Sequence, residues 1–405
     1  MKRYKIFNLA LSTLLCVSLL GGCGSQKKEN IKQITIRIGM ESQPVVEQKT
    51  IENLIEDYAK SHPGLKIEVQ DVAYNYYGDL NKKLQDKNLP DVFMIYNETV
   101  PSFARAGAVC PLDEYVSQQE LKDYNENLLN QFKGEGKLYG LPVAGDTMAL
   151  YYNKDMFGKE GLQPPTNWQE LKDDARRLTK GDVMGIASGF NPYEFIPYMF
   201  QAGGKLSDGK NPTFNSDECV KGMEYFLSLI TDESKDGGRL NISSNPRDDF
   251  MNQKVAMFVG FSVDFRYFEQ KKMNINWGVV PLPKGDFEGG FFSTVGVAVS
   301  SYSENRSEAI ELAKFLAGEK IQNLVTNSSL GLPAGKLMQL QYENMHPNME
   351  AFIKMMNVSN PLYSGNDFDL VFQALSEAGK RISSGEITNA KEALDYGMKV
   401  YNGSK

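Results

Sequence analysis

Histidine and tryptophan are scarce, with two of each in 405 residues, and no apolar run after Leu20 is long enough to span a bilayer. His62 stands in a helix-stopping His62-Pro63-Gly64 and His346 precedes Pro347, so neither is placed as the base of a nucleophile. Gly260-Phe261-Ser262-Val263-Asp264 lacks the last glycine of a nucleophile elbow. A pair of acids for glycoside cleavage is the hydrolase reading that stays open. Excess positive charge is also missing. The net charge is −7, and no basic stripe with interleaved aromatics marks a nucleic-acid surface. Asp232-Glu233-Ser234-Lys235-Asp236-Gly237 begins like a calcium loop but has Ser243 where the closing glutamate belongs. Gly331-Leu332-Pro333-Ala334-Gly335-Lys336 is one residue short of a phosphate loop and is not expected between strand and helix. No metal and no cofactor is expected.

Aromatics, by contrast, are abundant, with 20 tyrosines and 22 phenylalanines. At the N-terminus Lys2, Arg3 and Lys5 precede an apolar run from Ile6 to Leu20, the pattern of a secretory signal. Leu20-Gly21-Gly22-Cys23 resembles the lipobox of bacterial lipoproteins, which implies cleavage after residue 22 and acylation of Cys23. Residues 1–22 then read as signal peptide and 23–30 as a polar tether on the outer face of the cell membrane. The mature chain carries a net charge of −10. Cys16 leaves with the signal, and Cys110 and Cys219 are expected as buried free thiols.

About 380 residues exceed what one hydrophobic core supports, so two lobes are expected. Ile34–Ile38 and Leu65–Val69 alternate as half-buried strands. Between them Val46, Ile51, Leu54, Ile55, Tyr58 and Ala59 form the apolar face of a helix. A second helix from Tyr76 to Asp86 leads into Pro90–Tyr96, a short apolar run without alternation that suits a strand covered on both faces. This alternation predicts a parallel α/β sheet with its ligand site beyond the carboxyl ends of the strands, at Met40–Gln43, Val72–Tyr77 and Tyr96–Thr99. A second unit follows, with a strand Met148–Tyr152, a turn Asn153-Lys154-Asp155, a helix opened by a capping box at Thr166–Gln169, and strands near Gly185–Ala187, Val255–Val259 and Trp277–Val280. Helices Glu308–Ala317, Asp367–Ser383 and Ala390–Met398 complete the chain. Trp168 and Trp277 sit at element starts and read as packing residues.

Tyr139-Gly140-Leu141-Pro142, followed by Asp146-Thr147-Met148-Ala149-Leu150-Tyr151-Tyr152-Asn153-Lys154-Asp155, resembles the family 1 extracellular solute-binding proteins of ABC importers, the maltose-binding-protein-like group. Phe103–Ala108 before Pro111–Tyr115, Pro165–Leu171, Gly203-Gly204, Lys254–Met257, Trp277–Pro283 and Leu332–Ala334 resemble the same family in order. The resemblance implies a two-lobed, type II periplasmic-binding-protein fold, with residues 31–143 and 286–337 in lobe one and 144–285 and 338–405 in lobe two. It also implies a hinge, a solute held in the cleft between the lobes, and delivery to membrane permease subunits by a monomeric receptor. The expected solute is a mono- or oligosaccharide; a polyamine, a glycerol phosphodiester and ferric iron are the alternatives, and a chemosensory rather than transport role is another. Asp146 stands where the family has a sugar-contacting carboxylate, and Asn191-Pro192-Tyr193 where it has a stacking tyrosine. Glu41 and Gln43 follow the first strand, Tyr96 and Glu98 fall near a loop carboxylate, Phe261 stands near a stacking Trp, and Asn366 and Asp367 lie in a contact-bearing region.

Overall fold

The computed structural model describes residues 33–41, 45–72, 76–232, 239–271, 275–328, 331–363, 365 and 367–404. Ten strands join in one sheet: β1 (Ile34–Glu41), β2 (Leu65–Val72), β3 (Val92–Tyr96), β4 (Leu141–Asn153), β5 (Met184–Ile186), β6 (Val255–Phe261), β7 (Trp277–Val280), β8 (Phe291–Val299), β9 (Leu332–Pro333) and β10 (Asn360–Pro361). Their order is β2-β1-β3-β8-β4-β6-β5, with β7 and β9 on β4 and β10 on β8. Alternation explains β1, where Ile36, Ile38 and Met40 are buried and Thr35 is exposed. The helix Val45–Ser61 buries Ile51 and Ile55, and ends before Pro63-Gly64, where Gly64 has a φ of 91°.

β1 is parallel to β2 and to β3, as expected. The sheet is mixed beyond that point, which corrects the parallel reading: β8 runs antiparallel to β3 and to β4, and β6 and β7 run antiparallel to β4. β4 is the element that orders the molecule. Its first half pairs with β8 and its second half with β6 and β7. Because side chains alternate faces along a strand, Met148 and Leu150 enter one core and Ala149 and Tyr151 another.

Three apolar clusters result. One holds residues from Ile36 to Leu141 with Val297 to Ala317, and a second holds Met148 to Phe291 with Met355 to Tyr401. The third, around Tyr151, Phe258, Phe268, Tyr342 and Phe352, also takes Leu128 and Leu332. Cys110 and Cys219 are free and buried, in the first and second clusters respectively. Trp168 stacks on Tyr225 with ring centroids 3.9 Å apart, and Trp277 packs against Tyr151, Phe265 and Phe268.

Three local readings are corrected. The expected turn at Asn153 is the start of a helix, Lys154–Glu160, whose first N–H groups Asn153 caps. The cap of Trp168–Leu178 is Asn167, whose side chain accepts from Glu170 N at 3.0 Å, while Thr166 bonds the Glu170 carboxylate. The Gly331–Lys336 segment does lead from a short strand into a helix, Lys336–Met345. There the Lys336 ammonium donates to Lys122 O at 3.0 Å.

Candidate functional site

The carboxyl end of β3 turns at Asn97, Glu98 and Thr99, all buried. Asn97 is locked to β8: its N–H donates to Thr294 O at 2.9 Å and its Oδ1 accepts from Thr294 N at 2.6 Å. Asn97 Nδ2 has no partner among the described residues. Glu98 is 2% exposed, and its carboxylate oxygens have only loose neighbours among the described residues, the Ser293 hydroxyl and the Glu98 N–H, neither within hydrogen-bond geometry. Burial pushes this carboxyl up to about 7, partly offset by the Ser293 hydroxyl. An ionised group so placed is costly unless something pairs with it.

β8 and β4 meet beside it. Ser293 is directly opposite Asp146 in their register, so both project to one face, and Phe291, two residues before Ser293, shares that face. Asp146 Oδ1 accepts from Thr147 N and Ser262 N, each at 2.9 Å, and from Ser262 Oγ at 2.5 Å. Asp146 therefore ties β4 to the first turn of the helix Ser262–Lys271 through one oxygen. Burial raises it to about 7; the Ser262 bonds lower it and Asp264 raises it further.

Across from these carboxyls lies an aromatic group. Tyr193, in the first turn of the helix Pro192–Gln201, has its ring centroid 5.7 Å from Phe261, 5.7 Å from Phe291 and 4.7 Å from Phe372. Burial, then the charge of Glu98, raises the Tyr193 phenol, which places its ring within the field of that carboxylate. Phe261 is fixed at both ends of its peptide unit: its N–H donates to Asp264 Oδ2 at 2.9 Å and its carbonyl accepts from the Tyr151 hydroxyl at 2.8 Å. Asp264 is in turn bound by Arg247 at 3.2 Å. Glu98, Asp146, Tyr193 and Phe261 thus come together, with Ser293, Phe291 and Phe372 added. Nothing in the run Phe291–Val299 distinguishes Ser293 from a strand residue in the sequence, so only the register exposes it.

The remaining sequence candidates stand elsewhere. Asn191 is exposed and caps its helix, accepting from Tyr193 N at 3.1 Å while its own N–H donates to Glu194 Oε2 at 3.0 Å. Tyr96 is half-buried and lines an apolar cavity of about 160 Å³ with Ile38, Met40, Val143 and Leu324. Both oxygens of Asp367 are occupied, by the hydroxyls of Tyr363 and Tyr401. Glu41 ends β1 opposite Val72. Gln43 and Asn366 lie outside the described residues, as do Glu233–Gly237 of the calcium-like loop.

Compared with known proteins, the chain is 24% identical over 99% of its length to the galactooligosaccharide-binding protein of Bacillus subtilis, of which it covers 97%. Its fold matches an ABC substrate-binding protein of Listeria monocytogenes solved in complex with cycloalternan, at a TM-score of 0.77, 22% identity and coverage of 92% and 99% of the two chains. Maltose-bound MalE3 of T. maritima gives a TM-score of 0.76 at 18% identity, covering 92% of this chain and all of that one. Two-lobed solute-binding architecture is therefore the fold of this chain. Residues 43–323 match the family model described as bacterial extracellular solute-binding protein, and the chain belongs to that family.

Proposed function

We propose that this protein is the extracytoplasmic receptor of an ABC importer, that it binds a saccharide at the Glu98–Asp146–Tyr193 group, and that closure of its lobes presents the solute to membrane permease subunits. One observation carries the reading: the buried Glu98 carboxyl has no partner within hydrogen-bond geometry among the described residues, and its charge acts on the Tyr193 phenol. A sugar has what both sides lack, hydroxyls to donate to a carboxylate and a C–H face to lie on a ring. The names of the relatives support it, since a galactooligosaccharide-binding protein and proteins solved with cycloalternan and maltose are among them. The protein acts as a receptor and not as an enzyme in this reading. The lobe boundaries follow β4, which leaves the first core at Leu141 and enters the second at Met148. Cleavage after residue 22 and acylation of Cys23 hold a monomer on the outer face of the membrane. A thermal-shift screen against saccharides and polyamines, followed by calorimetry of the hits, tests the proposal. Saccharides should raise Tm and bind stoichiometrically, and a response to polyamines alone would replace the sugar in this reading.

A further inference from the structure

The site joins the buried carboxyl of Glu98 and the half-buried one of Asp146 to an aromatic group, and among the described residues no cation offsets the charge of either. Neither Glu98 oxygen has a partner within hydrogen-bond geometry, and Asp146 spends Oδ1 on Ser262 and Thr147. The neighbouring charge that acts on Asp146 is another acid, Asp264. Arg247, the cation of this neighbourhood, is committed to Asp264 at 3.2 Å and Asp248 at 3.6 Å, and lies 4.0 Å over the Tyr267 ring. Tyr193, Phe261 and Phe372, all half-buried, add ring faces, which attract cations as well as sugar C–H groups.

Resting on the saccharide reading above, we propose that the solute is an amino sugar, whose ammonium sits against Glu98 while its ring lies on Tyr193. Beside a neutral hydroxyl the buried Glu98 keeps its proton and makes a neutral hydrogen bond. An ammonium favours the ionised carboxylate and makes the bond charge-assisted.

The test is calorimetry of the purified protein at pH 6.5 with neutral disaccharides and their 2-amino-2-deoxy counterparts, with putrescine as the amine that is not a sugar. The amino member of a binding pair should bind at least about tenfold more tightly, the step from a neutral to a charge-assisted hydrogen bond. Glu98→Gln, checked for folding by circular dichroism, should shrink that preference below about threefold. Should the variant not fold, the wild-type comparison within each pair decides by itself. Equal or tighter binding of the neutral member would overturn the amino-sugar inference and leave the saccharide reading in place. Binding of putrescine without any saccharide would overturn the saccharide reading and the inference with it, as would binding of no member of the panel.

Discussion

At the scale of residues, Glu98 is displaced far from the ordinary carboxyl range. Its carboxyl is raised from 4.5 to about 7 by burial, so the folded state holds the proton more tightly than the unfolded chain. The stability this contributes is fully present below pH 4.5 and is lost as pH rises through about 7. Glu98→Gln should remove that part of the pH dependence, on the order of 3 kcal/mol across the window, read as a Tm difference between wild type and variant that changes with pH. A constant difference from pH 4.5 to 8 would show that Glu98 does not titrate there. Tyr193 and Asp146 answer to a different readout. Asp146→Asn keeps an oxygen for Ser262 and Thr147, so the fold should persist while affinity for the solute falls about ten- to a hundredfold. Tyr193→Ala removes a ring worth roughly 0.5–1.5 kcal/mol beyond its buried area and should cost a similar factor. Wild-type affinity in both would remove these two residues from the site.

Elements differ in how much the sequence discloses about them. Ile34–Ile38, Leu65–Val69 and the run Pro90–Tyr96, which forms a strand from Val92 on, are legible because alternation or a short apolar run is a local signal. The length of β4 was not, since its first half, Leu141–Thr147, is a strand only by virtue of its pairing with β8. Asn153 read as a turn because its capping role depends on where the chain leaves the sheet. In the site, Asp146, Tyr193 and Glu98 were reachable through the family resemblance. Ser293, Phe291 and Phe372 join them through register and helix packing, which a single sequence does not display. Close helix packing makes a separate prediction. A Cβ on Gly222, in the helix Asp217–Ile230, would lie 2.4 Å from Met199 Cα and 2.4 Å from Tyr198 O. Gly158, in Lys154–Glu160, would meet nothing within 4 Å. Gly222→Ala should therefore destabilise by about 1–3 kcal/mol, whereas Gly158→Ala should stabilise by about 0.5–1. Denaturant unfolding of the pair checks the opposite signs, and equal shifts would refute the close approach of these helices.

For the whole molecule, the site draws on both apolar cores: Glu98 stands in the turn after a strand of the first, while Tyr193 and Phe291 pack in the second. The two sides also touch through Asn81, which donates to Asp369 at 3.2 Å between the helices Tyr76–Gln85 and Phe368–Ser383. A solute bound to both sides favours the closed arrangement by its differential affinity for it, which is how a receptor signals that it is loaded. The proposed lipid anchor is tested at Cys23. Wild-type protein made in a bacterial host should follow the detergent phase on partition and Cys23→Ala the aqueous phase; an aqueous wild type would contradict the anchor. The place and nature of the solute are read from a crystal structure of the protein with its tightest-binding saccharide. A sugar should lie on the Tyr193 ring with a polar group within hydrogen-bond distance of Glu98 Oε1 or Oε2. A saccharide bound anywhere else, with Glu98 still unbonded, would contradict that placement.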